Sequence, residues 1–431
     1  TKSILSSTSS SFFSPTTTIK HFEKLGKEKC IKMTIIQLDN NHSLLLFIFL
    51  VGLSNWSIFV ETSSYNVVNF GGKGDGTTDS TQAFQMAWAN ACASTEKVTI
   101  YVPRGRYYIK NVTFSGPCNN KGIIFRIDGT LEAPSDFVVI GNSEAWILFR
   151  HVDGITILGG NLDGHGAALW ACKNSSYNTL CPTGATTLEF SNSKNVVINN
   201  LKSLNSQMFH ITINGCKNVI IKGLRVSASS NSPNTDGIHV QSSSNVTIIN
   251  SKIGTGDDCI SVGPGISNLQ IENISCGPGH GISIGSLGKD VTEIGVQNVT
   301  VKNVVFSRTK NGVRIKTWGK PSNGFATNII FQHIVMNNVH NPIVIDQNYC
   351  PTHKACPGKA SGIKISNVTY QDIHGTSTTT VAIMFDCSPT NPCIGIKLEN
   401  ISLTYKNQTT EARCYNARGV VVGQVQPTAC F

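Results

Sequence analysis

The feature that most constrains this chain is a repeated motif in which an asparagine opens a short alternating run of β-branched residues. It reads KNVVINNLKS from Lys194, KNVIIKGLRVS from Lys217, SNVTIINSKIG from Ser244 and SNLQIENISC from Ser267. QNVTVKNVVF from Gln297, TNIIFQHIVM from Thr327 and SNVTYQDIHG from Ser366 continue it, and GIKLENISLTY from Gly395 reads as the last turn. The asparagines at 195, 218, 245, 268, 298, 328 and 367 are 23, 27, 23, 30, 30 and 39 residues apart. Period-two alternation means strand, and the Asn and Gly between runs suit sharp turns with left-handed backbone angles. No unit holds an apolar helical stripe long enough for a βαβ crossover. Strands and turns repeating at little more than twenty residues predict an all-β parallel β-helix, a solenoid whose coils stack at about 4.8 Å. A propeller, at roughly 40 residues per blade, ranks second. The repetition is read from about residue 150 onward. Residues 81–92, TQAFQMAWANAC, carry the best helical pattern in the chain and are expected to form a short N-terminal capping helix.

The first 62 residues stand apart. Residues 1–32 are rich in Ser, Thr and Lys and are read as a non-native or untranslated leader ahead of Met33, the first methionine. The apolar run SLLLFIFLVGL (residues 43–53) is shorter than a membrane span, so 33–62 reads as a signal peptide, with an N-terminal membrane anchor as the alternative. The remainder, 63–431, is expected to be a single β-helix catalytic domain. Setting aside six lysines and four acids in 1–62 leaves 29 basic and 21 acidic residues of the original 35 and 25. That excess favours a polyanionic partner. The Lys and Arg are scattered rather than clustered, which argues against nucleic acid and, with a secretory signal, for an acidic polysaccharide.

Of 14 cysteines, 13 follow the signal. None of the close pairs has the spacing and nearby histidines of a zinc site. In an oxidising compartment they read as local disulfides: Cys172 with Cys181, Cys259 with Cys276, Cys350 with Cys356, Cys387 with Cys393 and Cys414 with Cys430, and Cys92 with Cys118 as a sixth. Cys216 is left as a buried free thiol. Eight N-x-[ST] sequons follow the signal, several of them coinciding with the repeat's own asparagine.

Chemistry concentrates in NTDGIHV (residues 234–240), GDDCISV (256–262), GHGISIGSLG (279–288) and RIKTW (314–318). Asp236 and Asp258 are 22 residues apart, as are Asp258 and His280, so each step is one coil. Stacked side chains would line one wall. His280 to Arg314 is read as one coil with a longer loop, and Arg314 and Lys316 share a strand face. Three carboxylates together raise the pKa of at least one, which suits an acid and a base acting across a glycosidic bond. The adjacent Asp257 and Asp258 can both reach one site only at a strand end or bulge. Taken singly, each segment reads as an ordinary turn or a solvated strand face; their joint occurrence at coil spacing argues otherwise.

In this order and spacing, NTDGIHV, GDDCISVG, GPGHGISIGSLG and RIKTW resemble the four signature segments of the polygalacturonases, glycoside hydrolase family 28. The likeness runs from YNVVNFGGKGDG (65–76) to the Cys-rich end. It implies a right-handed parallel β-helix that hydrolyses α-1,4-galacturonan with inversion and needs no cofactor or metal. It implies Asp257 as general acid, Asp236 and Asp258 activating water, and His280 supporting the acid. Asn234, Arg314, Lys316 and Tyr349 would bind substrate, so loss of Lys316 is expected chiefly to weaken affinity. The style is similar to plant members, and SLNSQMFHI with the insertion held by Cys172 and Cys181 favours exo-acting ones. The resemblance further implies a monomer, secreted to the cell wall and free of the membrane after signal cleavage, acting on homogalacturonan. The rivals are a Ca²⁺-dependent pectate lyase on the same fold and a non-catalytic wall-binding β-helix.

Overall fold

Alternating β-branched runs cannot bury their apolar face alone, and here each buries it against the next coil. The computed structural model describes residues 63–431, apart from 176–177, 352–355 and 359. The leader and signal peptide assigned to 1–32 and 33–62 lie outside the described residues. The chain winds as a right-handed parallel β-helix. Lys194 pairs with Lys217, Lys217 with Ser244, Ser244 with Ser267, Ser267 with Gln297, Gln297 with Thr327 and Thr327 with Ser366. These offsets equal the spacings of the repeat asparagines. The interior is filled by columns of identical character. Val196, Val219, Val246, Leu269, Val299, Ile329 and Val368 form one such column, each at most 2% exposed.

Every repeat asparagine adopts a left-handed backbone, from Asn195 (φ 54°) to Asn367 (φ 54°). Asparagine tolerates that conformation where most residues do not. Its amide then does a second job. Nδ2 of Asn218 donates to Oδ1 of Asn195 at 3.0 Å, and the same bond joins 245 to 218, 268 to 245, 298 to 268, 328 to 298 and 367 to 328. The motif is therefore a hydrogen-bonded ladder along the outside of the solenoid.

The solenoid extends beyond the repeats read from sequence. Upstream coils run through Val98–Val102, Ile123–Glu132 and Asp153–Asp163, paired in the same parallel register. They lack the asparagine signature. GIKLENISLTY is not the last turn either, because Glu411–Tyr415 and Ala417–Gln426 add another coil. Helix α1 (Thr81–Ala93) caps the N-terminal end, burying Phe84 and Trp88. Trp88 lies 5.2 Å from Phe114 and 5.5 Å from Phe149, centroid to centroid.

All six expected disulfides are formed. Cys92 bonds Cys118 and fastens the C-terminus of α1. Cys172 bonds Cys181, Cys259 bonds Cys276 and Cys414 bonds Cys430. Cys350 bonds Cys356, closing the loop that leaves strand Asn341–Tyr349. Cys387 bonds Cys393, joining the end of strand Val381–Asp386 to the start of Cys393–Tyr405. Both members of that last pair are buried, whereas Cys356 is exposed. Cys216 is free and buried, its thiol pushed up to about 11 mainly by burial. Among the described residues no helix is long and apolar enough to cross a membrane.

One sheet positions the chemistry. Its eleven parallel strands run in chain order from Val112–Ser115 to Glu411–Tyr415. Apolar residues such as Ile238 and Val240 face the core, so His239 and its counterparts face outward. The sheet loops discussed below all precede its strands and so share one edge.

Candidate active site

The four chemical segments meet at the loop edge of this sheet. Asp236 precedes strand Ile238–Gln241, and Asp257 and Asp258 precede strand Ile260–Val262. Both aspartates of the pair thus lie before the strand begins, where alternation does not force them apart. Gly256 makes the approach possible: a Cβ there would collide with the carbonyl oxygen of Ser232. A chain of buried hydroxyls, Ser232 to Thr235 to Thr255, with 2.6 Å contacts, ties the Asp236 turn to the next one. The Cys259–Cys276 disulfide anchors the chain directly after Asp258.

Asp258 is fully buried and surrounded by donors. Its Oδ1 accepts from Ser283 Oγ at 2.9 Å and Arg314 Nη2 at 3.0 Å, and its Oδ2 accepts from Lys316 Nζ at 2.8 Å. Arg314 Nε also donates to Ser283 Oγ at 3.0 Å. Two cations thus share this one carboxylate, with Asp236 and Asp257 beside it. Lys316 is buried. Burial works against its charge, but the Asp258 carboxylate outweighs it and raises its pKa. Its Nζ lies 5.2 Å from the Tyr349 ring centroid, and Trp318 packs edge-on against that ring at 5.6 Å.

Asp257 keeps 21% of its side chain exposed and meets His280 Nδ1 at 2.9 Å. His280 N–H also donates to the Asp257 carbonyl at 2.7 Å. Gly281 lets the following coil approach His280, since a Cβ would collide with the Asn311 carbonyl. Burial pushes the Asp257 carboxyl up, but the hydrogen bond and charge of His280 outweigh it, and its pKa falls below the ordinary value. Asp236 goes the other way. Burial, with Asp257 and Asp258 as like charges beside it, holds it well above the carboxylate range. Of the three carboxyls, Asp236 is therefore the one pushed toward its protonated form. Asn234, exposed and left-handed at φ 54°, stands two residues before it.

The stacking differs from the sequence expectation in one respect. Arg314 pairs with Ser283, not His280. The outward column reads Glu189, Thr212, His239, Ser261, Ser283, Arg314. Arg314 reaches Asp258 by extending back to it. Sequence reasoning missed three members of this column. Ser283 bridges Asp258 and Arg314. Ser261 hydrogen-bonds Asp236 and, at 2.7 Å, His239 Nδ1. His239 stacks on Phe209 at 4.8 Å. The available signal was the serine three residues after both Asp258 and His280.

Asp257, Asp258 and His280 bring one donor atom each within 4.8 Å of one another, which raises the question of a cation. The donor chemistry is wrong for Ca²⁺, which takes six to eight oxygens. One of the three groups is an imidazole, and Asp258 is already engaged by two cations.

An insertion bounds the site on its N-terminal side. Helix α2 (Ala167–Lys173) and the Cys172–Cys181 disulfide lie between strands Asp153–Asp163 and Thr186–Ser191. Trp170 Nε1 donates to the Ser206 carbonyl at 3.0 Å, and Asn174 Nδ2 to the Asn231 carbonyl at 3.2 Å. The insertion is thereby fastened to the turn that carries Asp236.

Residues 92–430 match the family model described as glycosyl hydrolases family 28. A polygalacturonase of Prunus persica is 62% identical over 387 residues, covering 90% of this chain and 97% of its own length. An exopolygalacturonase of Platanus acerifolia is 44% identical, covering 85% and 97% respectively. The solved structure of a hyperthermoactive exopolygalacturonase from Thermotoga maritima, 19% identical, superposes with a TM-score of 0.66 over 83% of this chain and 91% of that one. With a buried carboxylate cluster at the edge of a parallel β-helix and relatives of this closeness, the chain belongs to glycosyl hydrolases family 28.

Proposed function

We propose that this chain hydrolyses the α-1,4 linkages of polygalacturonan with inversion, using Asp257 as general acid and Asp236 and Asp258 to hold and activate water. The observation that carries this is the triply bonded Asp258, one carboxylate held by Ser283, Arg314 and Lys316 beside two more. The Arg314 and Lys316 cations held there draw a uronate carboxylate toward the bond to be cut. Asp257 is the acid because it alone of the three keeps a substantial exposed surface, 21% of its side chain. His280 holds it in place through the 2.9 Å contact between its Nδ1 and the Asp257 carboxylate. Binding of substrate, which carries further negative charge into the site, raises Asp257 and moves the cluster's proton toward it.

The substrate class follows from the family and from the relatives' polygalacturonase names. Exo action is favoured by the Platanus relative and by the insertion that walls the site on one side. We take the chain to act as a monomer in the cell wall, after secretion directed by residues 33–62. The test is turnover of polygalacturonic acid in chelator, with the anomer of the first product followed by NMR. Release of saturated product with inverted configuration supports the proposal. Retained configuration, or release only of unsaturated ends, overturns it.

A further inference from the structure

Along the chain the lysines and arginines are scattered, but the coil register gathers six of them. Between Glu189 and Asp257 the sequence holds Lys194, Lys202, Lys217, Lys222, Arg225 and Lys252 and one acid, the buried Asp236. All six cations are exposed. Lys194 pairs with Lys217, and Lys202 pairs with Arg225, which in turn pairs with Lys252. At about 4.8 Å per coil, the last three stand as a column of like charges on successive coils. Lys222 lies on the same coil as Arg225, across the turn at Gly223. All these strands belong to the eighteen-stranded sheet, not to the eleven-stranded sheet that carries the catalytic residues. Like charges facing one another across strands are destabilising unless something neutralises them. Further along the same sheet the chain neutralises its own cations: Lys302 meets Glu272 at 3.2 Å and Lys397 meets Glu399 at 2.7 Å. Among the described residues none of the six has such a partner. Strand Ser244–Gly254 carries Lys252 near one end and, near the other, Asn245 and Thr247. These two, with Asn268 and Thr300 from the next coils, line a groove of about 450 Å³ walled by amides and hydroxyls.

We propose that this face is a second, non-catalytic binding surface for polygalacturonan, which holds the protein to the polymer while the aspartate cluster cuts elsewhere on it. It rests on the reading that the chain takes polygalacturonan. A polymer with one carboxylate per monomer meets a column that offers one cation per coil, and it supplies the negative charge that the fold itself leaves out of these coils. The neighbouring amides and hydroxyls give partners to the sugar hydroxyls. A polypeptide polyanion has the charge but not the hydroxyls, so this face discriminates against it. The surface and the aspartates lie on different sheets, so a substrate too short to reach both gains nothing from the six cations.

The test compares an intact surface with Lys202→Gln/Arg225→Gln/Lys252→Gln and with Lys202→Arg/Lys252→Arg, each in an Asp257→Asn background so that nothing is cut. Binding to immobilised polygalacturonate is measured with excess trigalacturonate present to fill the catalytic cleft. The glutamine variant binds about tenfold more weakly, a modest loss because exposed ion pairs each contribute little. The arginine variant binds as the intact surface does, and added salt weakens the intact surface more than the glutamine variant. With Asp257 restored, the glutamine variant keeps wild-type kcat and KM on trigalacturonate. Equal binding by the intact surface and the glutamine variant overturns the proposal. So does a changed kcat on trigalacturonate, or equally tight binding of the intact surface to polyglutamate. If the wild type cleaves no galacturonan, the failure belongs to the functional reading. Retention on polygalacturonate then decides the surface separately: its loss in the glutamine variant sustains the proposal, and equal retention, or none by the intact surface, overturns it.

Discussion

At the residue scale the three aspartates divide by environment. Asp257→Asn removes the transferable proton while keeping shape, so kcat should fall about 10³-fold with oligogalacturonate binding intact, as measured by steady-state kinetics and calorimetry. A variant with wild-type kcat would refute the assignment. The cluster retains a proton because Asp236 is held high, so kcat should decline as pH rises through the point where that proton is lost. At Lys316 the structure adds a second contact to the substrate-binding role that the resemblance implies. As an i, i+2 partner of Arg314 it looked like a substrate clamp, yet it is buried on Asp258. Lys316→Ala should therefore lower kcat as well as raise KM. A change in KM alone would support the simpler clamp. Glu189 offers a check outside catalysis. Burial, then Glu144, pushes it up to about 7 from an ordinary 4.5. Its ionisation penalises the folded state increasingly between those values and fully above them. Glu189→Gln should thus raise Tm at pH about 8 and leave it unchanged at pH about 4. An equal rise at both would point to packing instead.

At the element scale the asparagine ladder explains why the fold was legible at all. The repeat was visible because one residue type does two jobs, taking the left-handed turn and bonding to its counterpart a coil away. Asn268 makes both bonds, to Asn245 and from Asn298. Asn268→Ala loses both and strains the turn, so it should destabilise by about 2–3 kcal/mol, read as a lowered thermal midpoint. Asn268→Gly, which relieves the strain, should lose less. Coils without this signature went unread. Those before Lys194 turn at glycines such as Gly154 (φ 83°), and glycine also marks ordinary loops. The irregular coil between Gly279 and Asn311 hid the register as well. It places Lys310 next in line after His280, where counting had placed Arg314.

At the scale of the whole molecule, stability depends on closed ends. The N-terminal end is covered by α1. The C-terminal end is an exposed strand, Ala417–Gln426, with Val420, Val421 and Val422 from 41% to 59% exposed. The Cys414–Cys430 disulfide closes that last coil. Replacing both cysteines by serine should cost about 3 kcal/mol, appearing as early loss of protection in hydrogen exchange confined to the final coil. Protection lost evenly along the solenoid would instead mean that the ends are coupled to the middle. The exo expectation belongs to this scale too, because it depends on the insertion fastened by Trp170 and Asn174. Strand pattern showed where coils repeat, but an insertion's path is set by single bonds such as Trp170 to Ser206, which no periodicity reveals.

The central claim is a carboxylate hydrolase of polygalacturonan that works without a metal. Its most direct test is the purified protein on polygalacturonic acid in excess chelator, beside Asp257→Asn. The account predicts saturated galacturonate reducing ends from the wild type and almost none from the variant. Ca²⁺-dependent release of unsaturated, ultraviolet-absorbing ends would contradict it.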